Sequence, residues 1–384
     1  MIKLPFEIIQ LLWSCGNNRV EHLNGFATEF SEATFDIVST SPFVIRANNT
    51  EILLTRDEND HSIDGYQYVV LTNKIPRKSE FLRGNILSIR WIKHTKIDTL
   101  RPEEITASWR GKFLYKKENI QESILGLRAP QLGAIYAFMS KAQIHHGRNI
   151  IVMPTGTGKT ETMLSILIAN QCAKVLVTVP SDAFRDQLAN KFFTLGVLHK
   201  FGIVTSDCSY PNVGIVKEGM DYNGWYTLIE KSNVIITTMP LITNCESEII
   251  NLLKENISHL FVDEAHHSEA KTWSEFIDSF DDENVTLFTA TPFRIDSRRL
   301  KGDFIYNFSL KDAQSQGYYK PIKFIPIREY DLIQADKHIA EVAVKQLRSD
   351  MENGYDHILM ARCSTKQRAK EVMEIYQQYS DLNP

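Results

Sequence analysis

The sequence predicts an α/β protein whose central domain is a parallel sheet covered by helices. Three observations support this fold class. Residues 149–160 read as a short apolar strand, a Gly-rich loop and Lys-Thr at the start of a helix. Apolar strands then alternate with helical patterns up to about residue 310, as in a parallel sheet. Short β-like runs fill the first third, which predicts a small β-rich or α+β accessory domain before the central one.

Composition fits a protein with sizeable cores and ordinary charge. Of 384 residues, 43% are hydrophobic and 23% are charged, and the formal net charge is −4. This balance excludes a surface coated with positive charge but allows a local basic groove. The five cysteines are scattered without a C-x-x-C pair, which disfavours a zinc site or a disulfide framework. No apolar run reaches the length of a membrane span, and the N-terminus is a poor signal peptide, so we expect a cytoplasmic protein without membrane contact.

Residues 1–118 are predicted to form the accessory domain. Strand-like runs at 43–45, 51–55, 68–71 and 85–92 are separated by turn-rich pieces, which indicates a small antiparallel or mixed sheet. The second half of this region is basic. Its lysines and arginines form either a nucleic-acid or partner surface, or an ordinary solvated face.

Residues 119–310 are predicted to form the parallel-sheet domain. Residues 122–143 read as a helix that is broken near Pro130. The strands are apolar on both faces, as expected for strands covered by helices on both sides. The predicted strands span residues 149–153, 174–179, 202–205, 234–238, 260–262 and 286–289. Ligands of such sheets bind at the carboxyl ends of the strands, where the Gly-rich loop lies.

Residues 311–384 are predicted to begin a second α/β domain. Residues 323–327 read as extended, and residues 337–351 as an amphipathic helix. A strand at 357–360 and a helix at 366–379 would complete one strand–helix step.

The Gly-rich loop has the residues that a phosphate cradle needs. Gly156 and Gly158 can adopt backbone angles closed to other residues and let N–H groups approach a polyphosphate. Lys159 supplies a cation for the outer phosphates, and the Thr160 hydroxyl is placed to ligate Mg²⁺. The strict P-loop pattern has glycine where this chain has Met153, so a Gly-rich turn beside an unrelated Lys-Thr is the alternative.

Two further strand ends carry polar residues. The strand at 260–262 runs into Asp263 and Glu264, and in a P-loop enzyme an Asp here holds Mg²⁺ while the Glu orients or deprotonates the attacking water. Taken alone, Asp-Glu after a strand is commonplace. The strand at 286–289 ends in Thr289 and Thr291, whose hydroxyls can hydrogen-bond side chains on the adjacent strand end.

Together these stretches resemble superfamily-two helicases of the DEAD/DEAH-box-like type. Three stretches resemble motifs I, II and III in that order: Pro154-Thr155-Gly156-Thr157-Gly158-Lys159-Thr160, Asp263-Glu264-Ala265-His266 and Thr289-Ala290-Thr291. Motif I of that family does not require a glycine at Met153. Shorter stretches resemble the Q motif of the restriction-enzyme-like and antiviral-helicase-like branches (127–131), motifs Ia (177–181, with Arg185 and Gln187) and Ib (235–240), and motif IV (358–365).

The resemblance implies two RecA-like domains and a set of site residues. Catalysis would rest on Lys159, Asp263 and Glu264, with Mg²⁺ held by Thr160 and Asp263. The remaining implied roles are ATP binding by Arg128, Gln131, Thr155, Gly156, Thr157, Gly158, Lys159 and Thr160; nucleic-acid contact by Pro180, Ser181, Arg185, Thr237 and Thr238; and coupling of nucleotide state to domain movement by His266, Thr289 and Thr291. A solvated histidine at a helix start is the alternative for His266.

The resemblance implies an ATP-dependent helicase or translocase that acts on DNA in preference to RNA, in the setting of a prokaryotic defence or restriction system. Motifs V and VI of that family have no counterpart before Pro384. Motif VI supplies arginine fingers, which contribute about 10³–10⁵ in rate. We therefore expect weak hydrolysis by this chain alone, and a C-terminal region or a protein partner that completes the ATP site. A nucleotide-gated scaffold with little ATPase activity is the alternative.

Overall fold

The computed structural model describes residues 9–24, 35–57, 60–72, 74–75, 77–82, 89–93, 101–142, 147–265, 271–291, 300–320 and 324–379. The chain divides into two compact units, Met1–Tyr319 and Lys320–Pro384. In the described residues the strands are β1 (Ile9–Cys15), β2 (Asn18–Asn24), β3 (Asp36–Thr40), β4 (Phe43–Ala47), β5 (Thr50–Thr55), β6 (Tyr68–Thr72), β7 (Ile89–Lys93), β8 (Asn149–Val152), β9 (Val175–Val179), β10 (Val213–Ile215), β11 (Val234–Thr238), β12 (His259–Val262), β13 (Val285–Thr289) and β14 (Asp303–Asn307).

The helices of the same residues lie mostly between the later strands. They are α1 (Lys78–Leu82), α2 (Pro102–Ser108), α3 (Ala129–Ala142), α4 (Lys159–Ala169), α5 (Asp182–Thr194), α6 (Tyr222–Lys231), α7 (Met239–Thr243), α8 (Ser247–Asn256), α9 (Lys271–Asp278), α10 (Leu310–Ser315), α11 (Leu332–Glu352) and α12 (Lys366–Tyr376).

The larger sheet is the parallel sheet that the sequence predicts. Its strand order is β1-β2-β10-β11-β9-β12-β13-β8-β14, and every pair from β10 to β14 is parallel. Helices cover both faces, so side chains on both sides of the central strands β8, β9, β11, β12 and β13 are buried. The fold-class prediction is confirmed: a mostly parallel sheet flanked by helices, together with a separate β-rich sheet.

The two sheet faces have separate cores. On one face α3, α4 and α5 bury residues such as Leu164 and Phe192 against the strands, and on the other face α6 and α8 bury Trp225 and Leu253. These covered faces fix the strand ends, and with them the loops that follow β8, β12 and β13.

Strands β3–β7 form a second sheet with both antiparallel and parallel pairs. Trp91 is 2% exposed and packs into its core with Ile45 and Ile52, so this aromatic ring stabilises the sheet. By contrast, β1 and β2 form an antiparallel hairpin that pairs with β10 at the edge of the large sheet. The proposed boundaries at residues 118 and 310 remain predictions.

Several element predictions were wrong. Residues 202–205 are an irregular turn in which Gly202 has φ +61° and only Val204 makes a β-bridge, to Phe113. The helix expected from residue 122 begins at Ala129, because Pro130 fits the first turn of a helix but not its interior. Of the run predicted at 85–92, the first four residues lie outside the described part of the chain.

The second unit also differs from its prediction. Its described residues hold α11 and α12, which are joined by an ion pair between Arg368 and Asp336. Residues 357–360 are not a strand, and Ile358 and Met360 are 92% and 90% exposed. A strand needs a neighbour that shares its hydrogen bonds, and the described residues 324–379 offer none.

Candidate functional site

The Gly-rich loop after β8 is closed by its own hydrogen bonds. Thr157 donates to the carbonyl oxygen of Pro154 from both its N–H (3.2 Å) and its hydroxyl (2.6 Å). Gly156 and Gly158 have φ of +82° and +97°, which L side chains rarely adopt. The N–H of Met153 donates to the carbonyl oxygen of Thr289 at 2.9 Å. The loop is therefore held at the carboxyl end of the sheet and leads directly into α4.

Lys159 begins α4 and points to the next strand end. Its side chain is 9% exposed, and its Nζ lies 2.5 Å from Oε1 of Glu264. A buried lysine needs a counter-charge, and here Glu264 supplies it. Lys159, which the sequence predicts to bind the triphosphate, is thus paired with Glu264, which it predicts to activate water.

Asp263 follows β12 and its backbone is fixed by the neighbouring strand. Its N–H donates to the carbonyl oxygen of Thr178 at 2.9 Å, and its Oδ1 accepts from the N–H of Glu264 at 3.0 Å. Burial raises the pKa of Asp263 to about 6, although the nearby Lys159 opposes this shift and the Glu264 charge adds to it. Burial thus disfavours the ionised form of Asp263, and a bound cation would stabilise that form.

The oxygens near the loop suit a divalent cation. Thr160 and Asp263 line the same cavity, and hydroxyl and carboxylate oxygens are the donors that Mg²⁺ prefers. The residues present therefore fit the predicted ion.

Arg128 and Gln131 contact the phosphate loop directly. The N–H of Arg128 donates to Oε1 of Gln131 at 2.8 Å, and its Nη1 donates to the carbonyl oxygen of Gly156 at 2.9 Å. Gln131 is 5% exposed, and its Nε2 donates to the carbonyl oxygen of Gly158 at 3.4 Å. Arg128 just before α3, Gln131 in its first turn and the loop after β8 therefore form one hydrogen-bonded wall.

These residues border one cavity of about 580 Å³. Its lining includes Arg128, Gln131, Thr155, Gly156, Gly158, Lys159, Thr160, Asp263 and Glu264. The cavity brings together most of the predicted catalytic and nucleotide-binding residues; Thr157 lies behind it, fully buried.

Helix α5 forms a further wall of the cavity, and of the α5 residues that line it the sequence analysis named only Gln187, in the stretch that resembles motif Ia. One face of α5 lines the cavity with Phe184, Gln187, Leu188 and Lys191, and Nζ of Lys191 lies 2.5 Å from Oε1 of Glu161. The spacing of three, four and seven residues places these side chains on one helical face and was a signal that could have been found.

Four of the predicted nucleic-acid contacts lie at the ends of two neighbouring strands, β9 and β11, and the fifth, Arg185, lies in the first turn of α5. Ser181 is exposed and Pro180 is partly exposed. Arg185 is 4% exposed and bonded to Asp182 and Asp186, while Thr237 and Thr238 are 0% and 7% exposed. Ser181 is the most accessible of the five, and nucleic-acid contact by this group stays a prediction.

The predicted coupling residues are only partly described. Thr289 is fully buried, and its hydroxyl both donates to the carbonyl oxygen of Thr291 (2.8 Å) and accepts from its N–H (3.2 Å). This bonding closes a tight turn after β13. His266 lies outside the described residues, so its role stays a prediction.

In the part of the chain that the structure describes, no helix combines the length and the apolar character needed to cross a membrane.

Comparison with known proteins gives one family match. Residues 124–294 match the family described as type III restriction enzyme, res subunit. This segment contains the phosphate loop and the Asp263–Glu264 pair. No curated protein matches the chain.

Similar solved structures include three proteins with helicase or restriction activity in their names. The UvsW helicase from bacteriophage T4 is 13% identical, with 51% of this chain and 62% of that chain covered and a TM-score of 0.33. The Pyrococcus furiosus Hef helicase domain is 21% identical, with 57% of this chain and 46% of that chain covered and a TM-score of 0.33. The third structure is a nuclease-deletion mutant of the type ISP restriction-modification enzyme LlaGI in complex with a DNA substrate mimic. It is 17% identical, with 59% of this chain and 22% of that chain covered and a TM-score of 0.36. The chain thus spans less than two thirds of each.

Proposed function

We propose that this chain, which contains a superfamily-two helicase-like region at residues 124–294, is the ATP-binding and ATP-hydrolysing part of a helicase or translocase. The observation that carries the proposal is the single cavity in which Lys159, Thr160, Asp263 and Glu264 meet. DNA is the proposed substrate rather than RNA, because the matching family is one of restriction enzymes. A role in prokaryotic defence belongs to the same proposal.

The phosphate loop would bind the triphosphate with its main-chain N–H groups and with the N-terminal end of α4. Lys159 would leave Glu264 and contact the outer phosphates. This exchange is favourable in charge, since a phosphate carries more negative charge than one carboxylate. Thr160 and Asp263 would hold Mg²⁺, which supplies electrostatic stabilisation of the transferred phosphoryl group.

Nucleotide binding would also prepare the catalytic base. The 2.5 Å bond to Lys159 holds the Glu264 carboxylate and stabilises its charge. Once Lys159 turns to the phosphates, Glu264 can accept a proton from a water molecule or orient it. The same ion pair therefore keeps the base from acting before ATP is bound.

The test is Glu264→Gln in the full chain, with ATP binding and ATP turnover measured with and without single- and double-stranded DNA and with RNA. We expect binding to be retained, because the neutral amide releases Lys159, and turnover to fall about 10²–10⁴-fold, the usual contribution of a general base. Glu230→Gln is the matched control, because Glu230 is 53% exposed and pairs with Lys174 only at 3.8 Å.

Two outcomes would count against the proposal. Undiminished turnover in Glu264→Gln would remove the assigned role. ATP binding by the wild type, with turnover that neither DNA nor RNA stimulates, would favour the nucleotide-gated scaffold over a motor.

A further inference from the structure

Tyr318 lies against the predicted nucleotide-binding residue Arg128. The Cζ of Arg128 is 5.6 Å from the centroid of the Tyr318 ring, within the range of a cation–π contact. The Tyr318 hydroxyl donates to Oε1 of Glu118 at 3.2 Å, and its ring meets the edge of Phe308 with centroids 6.1 Å apart. Three contacts from three parts of the chain thus fix the orientation of this ring.

Arg128 is held on two sides. Its Nη1 bonds to the carbonyl oxygen of Gly156 in the phosphate loop, and Tyr318 lies against its guanidinium. The side chain also lines the cavity, next to Gln131. A planar guanidinium fixed in this way offers a flat surface on which a nucleobase can stack.

Glu118 is itself fixed by a two-stranded strap that runs over residues 116–127. The N–H of Glu118 donates to the carbonyl oxygen of Leu127 at 2.9 Å, and the N–H of Leu127 donates to the carbonyl oxygen of Lys116 at 2.8 Å. A Cβ on Gly126 would lie 2.6 Å from the carbonyl carbon of Lys117, so the strap closes tightly there. The strap leads directly into Arg128, and it also supplies the acceptor for Tyr318.

We propose that Tyr318 is a positioning residue for nucleobase recognition: with Glu118 it holds the Arg128 guanidinium flat at the cavity, where the purine base of a nucleoside triphosphate stacks. This inference rests on the proposed function, because it assumes that the cavity binds ATP. It adds a residue outside the family match, which ends at residue 294.

The position of Tyr318 in the chain gives the contact a second consequence. Tyr318 and Tyr319 are the last residues of the first unit, and both N–H groups donate to the carbonyl oxygen of Ala313. The Tyr319 hydroxyl lies 3.3 Å from where a Cβ of Gly156 would be. Base binding that fixes Arg128 would therefore also fix the segment from which the chain enters the second unit.

The experiment separates base binding from phosphate binding in the full chain. Dissociation constants for Mg-ATP and for inorganic tripolyphosphate with Mg²⁺ are measured for the wild type, Tyr318→Leu and Tyr318→Phe. We expect Tyr318→Leu to weaken ATP binding about 5–20-fold, the range of a partly desolvated cation–π contact. Tripolyphosphate binding should stay within about 2-fold, which also shows that the phosphate loop is folded. Tyr318→Phe keeps the ring and should fall between wild type and Tyr318→Leu.

Tyr379→Leu is the matched control, because Arg348 lies over the Tyr379 ring at 5.8 Å in the second unit. It should change neither constant. Amide hydrogen exchange adds a readout: ATP should slow exchange at residues 318–319 in the wild type and not in Tyr318→Leu.

Other results would overturn the inference. Equal weakening of ATP and tripolyphosphate in Tyr318→Leu would show that the ring only supports the loop, and an unchanged ATP constant would show that it has no part in binding. A wild type that binds neither ligand would overturn the proposed function itself, which is distinguishable from a failure confined to the Tyr318 variants.

Discussion

Replacing Gly158 by alanine tests how tightly the phosphate loop is built. Gly158 has φ +97°, and a Cβ there would lie 2.0 Å from Nε2 of Gln131. A non-glycine residue in the left-handed region costs about 1–2 kcal/mol. The Gln131 amide must also move, which breaks its bonds to Arg128 and Gly158 at about 1 kcal/mol each. We therefore expect Gly158→Ala to lower the free energy of unfolding by about 3–4 kcal/mol.

Two other glycines separate these contributions. Gly111 has φ +72° with nothing within 4 Å of an added methyl group, so Gly111→Ala should cost only the backbone strain of about 1–2 kcal/mol. Gly65 has open space and no positive φ, so Gly65→Ala should be neutral or stabilising by up to about 1 kcal/mol. The assay is urea unfolding followed by tryptophan fluorescence. If Gly158→Ala matched Gly111→Ala within about 0.5 kcal/mol, the reasoning about Gln131 would be refuted.

The remaining predictions concern buried charged and reactive groups. Arg148 is 5% exposed and bonded to two half-exposed aspartates, so Arg148→Met should lower the free energy of unfolding in urea by about 1–2 kcal/mol. Lys301 is exposed, so the control Lys301→Met should change it by less than about 0.5 kcal/mol. Equal effects of the two substitutions would contradict this reasoning. Burial lowers the pKa of His22 to about 4, below its unfolded value. The stability that the neutral ring contributes is therefore present at neutral pH and is lost as pH falls from about 6.5 to 4. His22→Leu should remove up to about 3 kcal/mol of this pH dependence of the free energy of unfolding, and an unchanged pH dependence would argue against it. Burial raises the pKa of the Cys172 thiol to about 12, so iodoacetamide at pH 8 should label the partly exposed Cys15 and spare Cys172 until urea unfolds the chain, as peptide mass spectrometry would show.

The sequence predicted the centre of the fold well because the strands there are buried on both faces. Strands β8, β9, β11, β12 and β13 appear within one residue of their predicted positions. Continuous apolar runs between helical patterns are a strong signal, and the site residues follow because they lie where these strands end.

The edges of the sheet could not be predicted in the same way. Strand β10 has three residues, and β14 is only partly buried, so neither shows a clear apolar run. The pairing of β1 and β2 with β10 depends on contacts between distant parts of the chain, which local patterns do not encode. At residues 202–205 the apolar run predicts a strand, but Gly202 turns the backbone there.

The contacts between site residues were likewise beyond sequence reasoning. Motif order placed Lys159 and Glu264 in one site but did not reveal that they bond to each other. The residue spacing on α5 indicates one helical face, but only the structure shows that this face lines the cavity. The contact between the Tyr318 ring and Arg128 has no signal in the sequence.

The pairing of the N-terminal hairpin with β10 bears on how the protein is made. Oδ1 of Asn18 accepts from the N–H of Lys217, 199 positions later. At about 5–20 residues per second, a ribosome needs roughly 10–40 s to synthesise that interval. The hairpin must wait through this delay before its partner strand exists, so folding of the large sheet along this edge is completed only after most of the first unit has left the ribosome.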